Sequence, residues 1–282
     1  MTYKSRPLAV ITGASAGLGA AFARQLAARG YDLLLVARRD DRLQAMARQL
    51  ADQYGVSAEG LKADLTDDAQ LEAVARRILD AKNFALLINN AGFGTNHYFF
   101  ETDPSQQVEM HKLHVVATTR LSHAAVKNLM DRFRAGPDEF APQPPLPCGL
   151  INVSSVAAYG TSPQNVSYCS TKTWMNRFTE GLAIELGAWK TPFAAQALCP
   201  GYTLTEFHDV TGMDRSALPS YMWMTADSVV EASLAGFARR KLFVIPGWRY
   251  KALIAFLACV PGPLKRWGSI YAVQRFRRRK QV

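Results

Sequence analysis

The last acidic residue in the chain is Glu231, and none follows it to the end at Val282. Cysteine is equally scarce. Cys148, Cys169, Cys199 and Cys259 are scattered with no Cys-x-x-Cys pair. That excludes a disulfide or zinc framework and implies free thiols in a reducing compartment. The five histidines lack metal-ligand spacing, so no metal is implied. No apolar run reaches the ~18 residues needed to span a bilayer. The N-terminal stretch Met1-Thr2-Tyr3-Lys4-Ser5-Arg6-Pro7 has no secretory apolar region, which implies a cytoplasmic protein. Internal repeats and true linkers are also missing.

What is present is a chain of 282 residues, 49% of them hydrophobic, enough for one substantial α/β core. Short apolar runs alternate with helical segments, the pattern of a doubly wound parallel sheet. Strands are expected at 8–12, 31–37, before Asp64, at 85–89, 149–155, 194–199 and 242–245. Helices are expected from about 18 to 28, 41–54, 66–82, 104–134, around Tyr168, and at 226–240. The proline-rich stretch 136–147 reads as a stiff surface loop.

The chemistry is concentrated at two places. Leu8-Ala9-Val10-Ile11-Thr12 runs into Gly13-Ala14-Ser15-Ala16-Gly17-Leu18-Gly19 and then into strong helix formers. A strand, a glycine turn and a helix present free backbone N–H groups and a positive helix end to a phosphate. Downstream, Tyr168 and Lys172 stand four apart on a helix, with Ser155 at the end of the preceding strand. Residues four apart share a helix face. A lysine ammonium beside a phenol lowers the phenol's pKa and makes it a usable proton donor or acceptor.

With these motifs the chain resembles the short-chain dehydrogenase/reductase family over about residues 8–245. The glycine turn is spaced TGxxxGxG as in that family. Asn89-Asn90-Ala91-Gly92 matches its NNAG segment, Asp64-Leu65 its adenine-binding acidic position, and Pro200-Gly201-Tyr202-Thr203-Leu204-Thr205 its PGxxxT segment. The resemblance implies a Rossmann-like, seven-stranded parallel sheet in a single domain (residues 1–247), followed by a basic helical extension (248–282). It further implies a nicotinamide dinucleotide held by Gly13, Ser15, Gly17, Leu18, Gly19, Asp64, Leu65, Asn90, Ala91, Gly92, Tyr168, Lys172, Pro200, Gly201, Thr203 and Thr205. Ser155, Tyr168 and Lys172 would be catalytic. Tyr168 would exchange the proton, Lys172 would lower its pKa and bind the nicotinamide ribose, and Ser155 would donate to the carbonyl oxygen. Ser155 is preferred to its neighbour Ser154 because of its position at the strand end. Relatives are mostly dimers or tetramers, so a homodimer or homotetramer is expected.

Cofactor choice is read at the end of the second strand. An acid there would bind the ribose hydroxyls and select NAD, but this chain has Ala37-Arg38-Arg39 and no carboxylate until Asp40. A guanidinium fork suits a 2′-phosphate. NADP (NADPH) is therefore favoured, with Arg38 the principal contact, Ser15 a second and Arg39 a third. The family's usual fourth catalytic residue is an asparagine, and His114 occupies that place. Two readings stand: His114 serves the proton relay or anchors it, or it packs against the neighbouring strand.

Phe207, Met213, Leu218, Tyr221, Met222, Trp223 and Met224 suggest an apolar cover over the nicotinamide, joined by Phe93, Tyr98, Phe99 and Phe100. The expected partner is thus an apolar ketone, aldehyde or secondary alcohol. Beyond Glu231 lie twelve bases and an apolar run, Ala252 to Val260, closed by Pro261-Gly262-Pro263. This is read either as an interfacial element touching an anionic membrane or as an arm covering the cleft or a second subunit. No nucleic-acid recognition motif accompanies the bases. The function expected is an NADP-dependent reductase or alcohol dehydrogenase. The alternatives are an NADPH-binding redox sensor without turnover and a membrane-surface scaffold on the same fold.

Overall fold

The computed structural model describes residues 6–95, 97–136, 146–161, 163–206 and 219–280. The N-terminal half alternates strictly: β1 (Leu8–Thr12), α1 (Gly17–Ala27), β2 (Asp32–Ala37), α2 (Asp40–Tyr54), β3 (Ala58–Lys62), α3 (Asp68–Asp80) and β4 (Phe84–Asn89). Every residue of β4 is buried, as expected of a strand covered on both faces by crossover helices. The helix ends follow local chemistry. Asp67 caps α3 by accepting from the Gln70 amide, and α2 stops at Gly55, whose φ of 64° suits a residue without Cβ.

The second half contains α4 (Pro104–His111), α5 (Thr118–Ala135), β5 (Gly149–Val153), α6 (Val166–Ala188), β6 (Ala194–Leu198), α7 (Ala226–Ala238) and a last strand, Phe243–Val244. A separate two-stranded ladder pairs β7 (Thr203–Leu204) with β8 (Met224–Thr225), so the last strand is β9. The main sheet is seven-stranded and parallel in the order β3-β2-β1-β4-β5-β6-β9. The order reverses between β1 and β4. At such a switch point the flanking loops diverge and leave a crevice beyond the strand ends.

The expected long helix at 104–134 is interrupted by a π-helical turn, Lys112–Ala117. The wider turn has no sequence signature, and turns of this type often mark functional positions. The expected seventh strand shortens to two residues, and the helix before it stops at Ala238. The basic extension forms α8 (Trp248–Cys259) and α9 (Gly262–Lys280). Pro261 lies between them, and Val260 before it is extended, as a residue preceding proline prefers. Of the proline-rich stretch, residues 137–145 lie outside the described residues.

Candidate active site

The loops at the switch point enclose a cleft of about 1130 Å³. Every residue expected from the sequence to bind cofactor or react lines it, with the exception of Gly19. Gly19 serves the turn from behind: a Cβ there would lie 2.2 Å from the Gly13 carbonyl oxygen. Gly13 and Gly17 have φ of 64° and 55°, which L side chains rarely adopt. Ala16 precedes α1 without a side-chain cap. The first amides of α1 therefore face the cleft with no side-chain oxygen on them, which suits a dinucleotide pyrophosphate.

Thr12 and Asn90 fasten this turn to the end of β4. The Asn90 and Ala91 amides donate to Thr12 Oγ1 (2.9 and 3.0 Å), and Asn90 Nδ2 donates to the Thr12 carbonyl at 2.9 Å. Below them, Asn89 Nδ2 donates to Asn152 Oδ1 (2.9 Å) and to Ser122 Oγ (3.0 Å), and Asn152 Nδ2 donates to Thr179 Oγ1 (2.9 Å). This buried polar network ties β4, β5, α5 and α6 together, and satisfied networks of this kind hold one geometry.

Ser155, Tyr168 and Lys172 converge on the opposite wall. The Ser155 hydroxyl is hydrogen-bonded to the Tyr168 phenol. Burial pushes the phenol up to about 12, against the lowering effect of Ser155. Burial pushes the Lys172 ammonium down to about 7. Lys172 Nζ donates to the Val153 carbonyl (2.8 Å) and lies 5.7 Å from the centre of the Tyr168 ring. Burial is the largest influence on both groups, and the Lys172 ammonium stands against the face of the Tyr168 ring. Ser154 instead braces α6, its hydroxyl donating to the Lys172 carbonyl at 3.1 Å.

The π-turn buries His114 completely. The Phe93 amide donates to Nε2 (3.2 Å), which leaves Nδ1 as the protonated nitrogen, donating to Thr171 Oγ1 (2.9 Å). The Thr171 hydroxyl donates on to the Tyr168 carbonyl at 3.0 Å. Both ring nitrogens are engaged by protein groups, so the geometry favours an anchor over a relay. Its ring stands edge-on to Tyr168, with centroids 5.9 Å apart. A Cβ at Gly92 would come within 2.7 Å of Nε2, so glycine is required for this approach.

Burial, then the charges of Lys172 and His111, holds the His114 pKa well below its ordinary value. Below pH 6.5 the unfolded chain takes a proton that the folded chain refuses, so stability falls as pH drops. The slope is up to about 1.4 kcal/mol per pH unit. Thermal melts of the parent are expected to show this acid-side loss below 6.5, and His114→Asn is expected to flatten it. Identical slopes in the two proteins would refute the buried, neutral histidine.

Just beyond β2, Arg38 is largely exposed and its nearest acid, Asp64, is 3.9 Å away. Burial works against the Asp64 carboxylate, but the Thr66 amide and hydroxyl, with Arg38, hold its pKa below the usual range. Arg39 donates to Ser15 Oγ (3.1 and 3.2 Å) and pairs with Glu206 at 2.8 Å. Arg42 reaches the other Glu206 oxygen, also at 2.8 Å. Sequence reading missed Glu206 and Arg42, because nothing local says that residues so far apart will meet.

Tyr250 was missed too. Its ring lies directly on Gly201, where a Cβ would overlap it. Its hydroxyl accepts from the Tyr202 amide (2.9 Å) and donates to the Met222 carbonyl (2.5 Å). The first turn of α8 thus braces the loop Pro200-Gly201-Tyr202. Of the apolar residues expected to cover the cleft, Phe93 and Met222 line it, whereas Phe99 and Phe100 are exposed outside it. Tyr98 stacks on Phe100. Trp223 packs on Tyr202, and Tyr221 lies against Arg249. Phe207, Met213 and Leu218 lie outside the described residues. Among the described residues no cluster of histidine, cysteine or acid could hold a metal, and no helix is long and apolar enough to cross a membrane.

A doubly wound sheet, a glycine turn at its switch point and a Ser–Tyr–Lys wall define a dinucleotide-dependent oxidoreductase fold. The family model for short chain dehydrogenase matches residues 7–215, and the chain belongs to that family. A short-chain dehydrogenase from Sphingobium yanoikuyae, solved in complex with NADPH, is 33% identical with a TM-score of 0.76, over 90% of this chain and 96% of that one. A bulky-bulky ketone specific alcohol dehydrogenase from Comamonas testosteroni is 28% identical with a TM-score of 0.72, over 91% and 95%. Among curated proteins, the human inactive hydroxysteroid dehydrogenase-like protein 1 is 24% identical over 93% of this chain and 74% of its own length.

Proposed function

We propose that the protein is an NADP(H)-dependent reductase of apolar ketones or aldehydes, or an oxidiser of the matching secondary alcohols. The observation that carries this reading is the hydrogen-bonded Ser155–Tyr168 pair with Lys172 beneath it, on the wall of the cleft facing the glycine turn. A bound reduced nicotinamide supplies the hydride to the carbonyl carbon. Tyr168 gives its phenolic proton to the carbonyl oxygen, and Ser155 donates a hydrogen bond to the same oxygen as charge develops on it. Lys172, in its charged form, stabilises the phenolate left behind from its place against the Tyr168 ring. His114, through Thr171 and the Phe93 amide, holds the tyrosine helix in register with the opposite loop.

Three features support NADP over NAD. Arg38 is loosely paired at the adenosine end, Arg39 and Ser15 stand together beside it, and β2 ends without an acid. Glu206 shares Arg39, so Arg38 is the guanidinium better placed to take a 2′-phosphate. Phe93, Met222 and Leu253 on the cleft wall support an apolar substrate, and the bulky-ketone specificity named for the Comamonas neighbour points the same way. A homo-oligomer is expected of the assembly, and residues 1–247 are proposed as the catalytic unit, with α8 adding Tyr250 and Leu253 to the cleft wall.

The second reading is cofactor binding without turnover, suggested by the likeness to a relative named as inactive. NADPH oxidation against aldehydes and ketones of increasing chain length, with NADH in parallel, separates the two. Turnover with NADPH that rises with chain length is expected. NADPH binding with no turnover across the panel would favour the silent-binder reading.

A further inference from the structure

Helix α8 carries apolar residues on both of its faces. Tyr250 is buried against the cleft loop, and Ile254 and Leu257 are half-buried on the same side. The opposite side presents Trp248, Ala252, Ala255, Phe256 and Cys259 to solvent, at the spacing of one helical stripe. Trp248 is 70% exposed and Phe256 67%. Just beyond Pro261, α9 exposes Leu264, Trp267 and Tyr271, again three and four residues apart, with the Trp267 and Tyr271 rings stacked. A folded chain rarely leaves so many large apolar side chains in water unless something covers them.

Charge identifies the cover. Twelve of the 33 bases and none of the 23 acids lie beyond Glu231, so the entire positive excess of +10 comes from this region. The exposed Lys251 and Arg266 and the half-buried Lys265 lie among the apolar residues. A second copy of the same surface would bring two acid-free segments together, which like-charge repulsion opposes. We propose that α8 and α9 form a docking surface for an anionic lipid membrane, with Trp248, Phe256, Leu264 and Trp267 entering the interface and the bases meeting the headgroups. Through Tyr250 and Leu253 on its other side, α8 also lines the cleft, so docking would leave α8 between the lipid and the cleft. The docking does not depend on catalysis.

The test is flotation of the full chain with vesicles of phosphatidylcholine alone, and with vesicles containing about one-third phosphatidylglycerol. Binding to the anionic vesicles only is expected, weakened by salt and unchanged in Tyr168→Phe. Combining Trp248→Ser, Phe256→Ser and Trp267→Ser is expected to reduce vesicle binding by about tenfold or more. These side chains are exposed, and an unchanged melting temperature would confirm that the variant folds. Combining Lys251→Glu, Lys265→Glu and Arg266→Glu is expected to abolish the preference for anionic lipid. Absence of flotation, equal binding to both vesicle types, or conversion of an oligomer to a monomer by the serine variant with vesicle binding intact would each overturn the proposal.

Discussion

Replacing Tyr168 with phenylalanine is expected to lower reductive turnover by about a thousandfold or more, the scale of a lost general acid with its hydrogen bond. The ring of the variant fills the same space, and the His114 edge contact and the Thr171 bond to the backbone carbonyl do not need the hydroxyl. NADPH binding, followed by tryptophan fluorescence, is therefore expected to change by less than about twofold. A variant with full activity would refute the mechanism, and one that loses NADPH binding would make the Tyr168 hydroxyl a cofactor contact before a proton donor. The parent's pH profile carries a related expectation. The phenol stays protonated through the neutral range because burial holds it near 12, so proton supply is not limiting there. Lys172 loses its charge near 7. Stabilisation of the phenolate then weakens, and reductive turnover is expected to fall as pH rises through that value. Lys172→Met is expected to remove this limb along with most of the activity.

The second large effect concerns cofactor choice. Arg38→Ala is expected to raise the KM for NADPH about 10- to 100-fold while leaving NADH kinetics unchanged. Charge-assisted hydrogen bonds are worth about 1.5–3 kcal/mol, and only NADPH has the 2′-phosphate to receive them. The distinction is sharp because the neighbouring guanidinium is already engaged: Arg39 is held by Ser15 and Glu206. Equal losses with both cofactors would mean that Arg38 supports the cleft in general and does not read the phosphate. An unchanged NADPH KM would pass the role to Arg39.

The two expectations differ in how visible they were before folding. Tyr168 and Lys172 lie four apart on one helix, and the turn around Gly13, Gly17 and Gly19 is continuous in the chain. Local spacing is enough to place such groups on one face or at one helix end. The order of strands follows from the alternation of apolar runs and helices, because parallel crossovers leave few topologies. His114 shows where local reading stops. Its position was legible, but its state was not, since that depends on a π-turn, on the Phe93 amide across the cleft and on Thr171 on another helix.

The sequence by itself determined the doubly wound fold, the family, the glycine turn and the helix face shared by Tyr168 and Lys172. All of these rest on periodicity or on motifs within a few residues of one another. Only the tertiary structure decided that burial raises Tyr168 and lowers Lys172, that Glu206 ties Arg39 to Arg42, and that Tyr250 from α8 braces Gly201. Desolvation and long-range pairing depend on what surrounds a group in space. In a parallel sheet those neighbours come from loops separated by whole crossover units, so no local pattern encodes them.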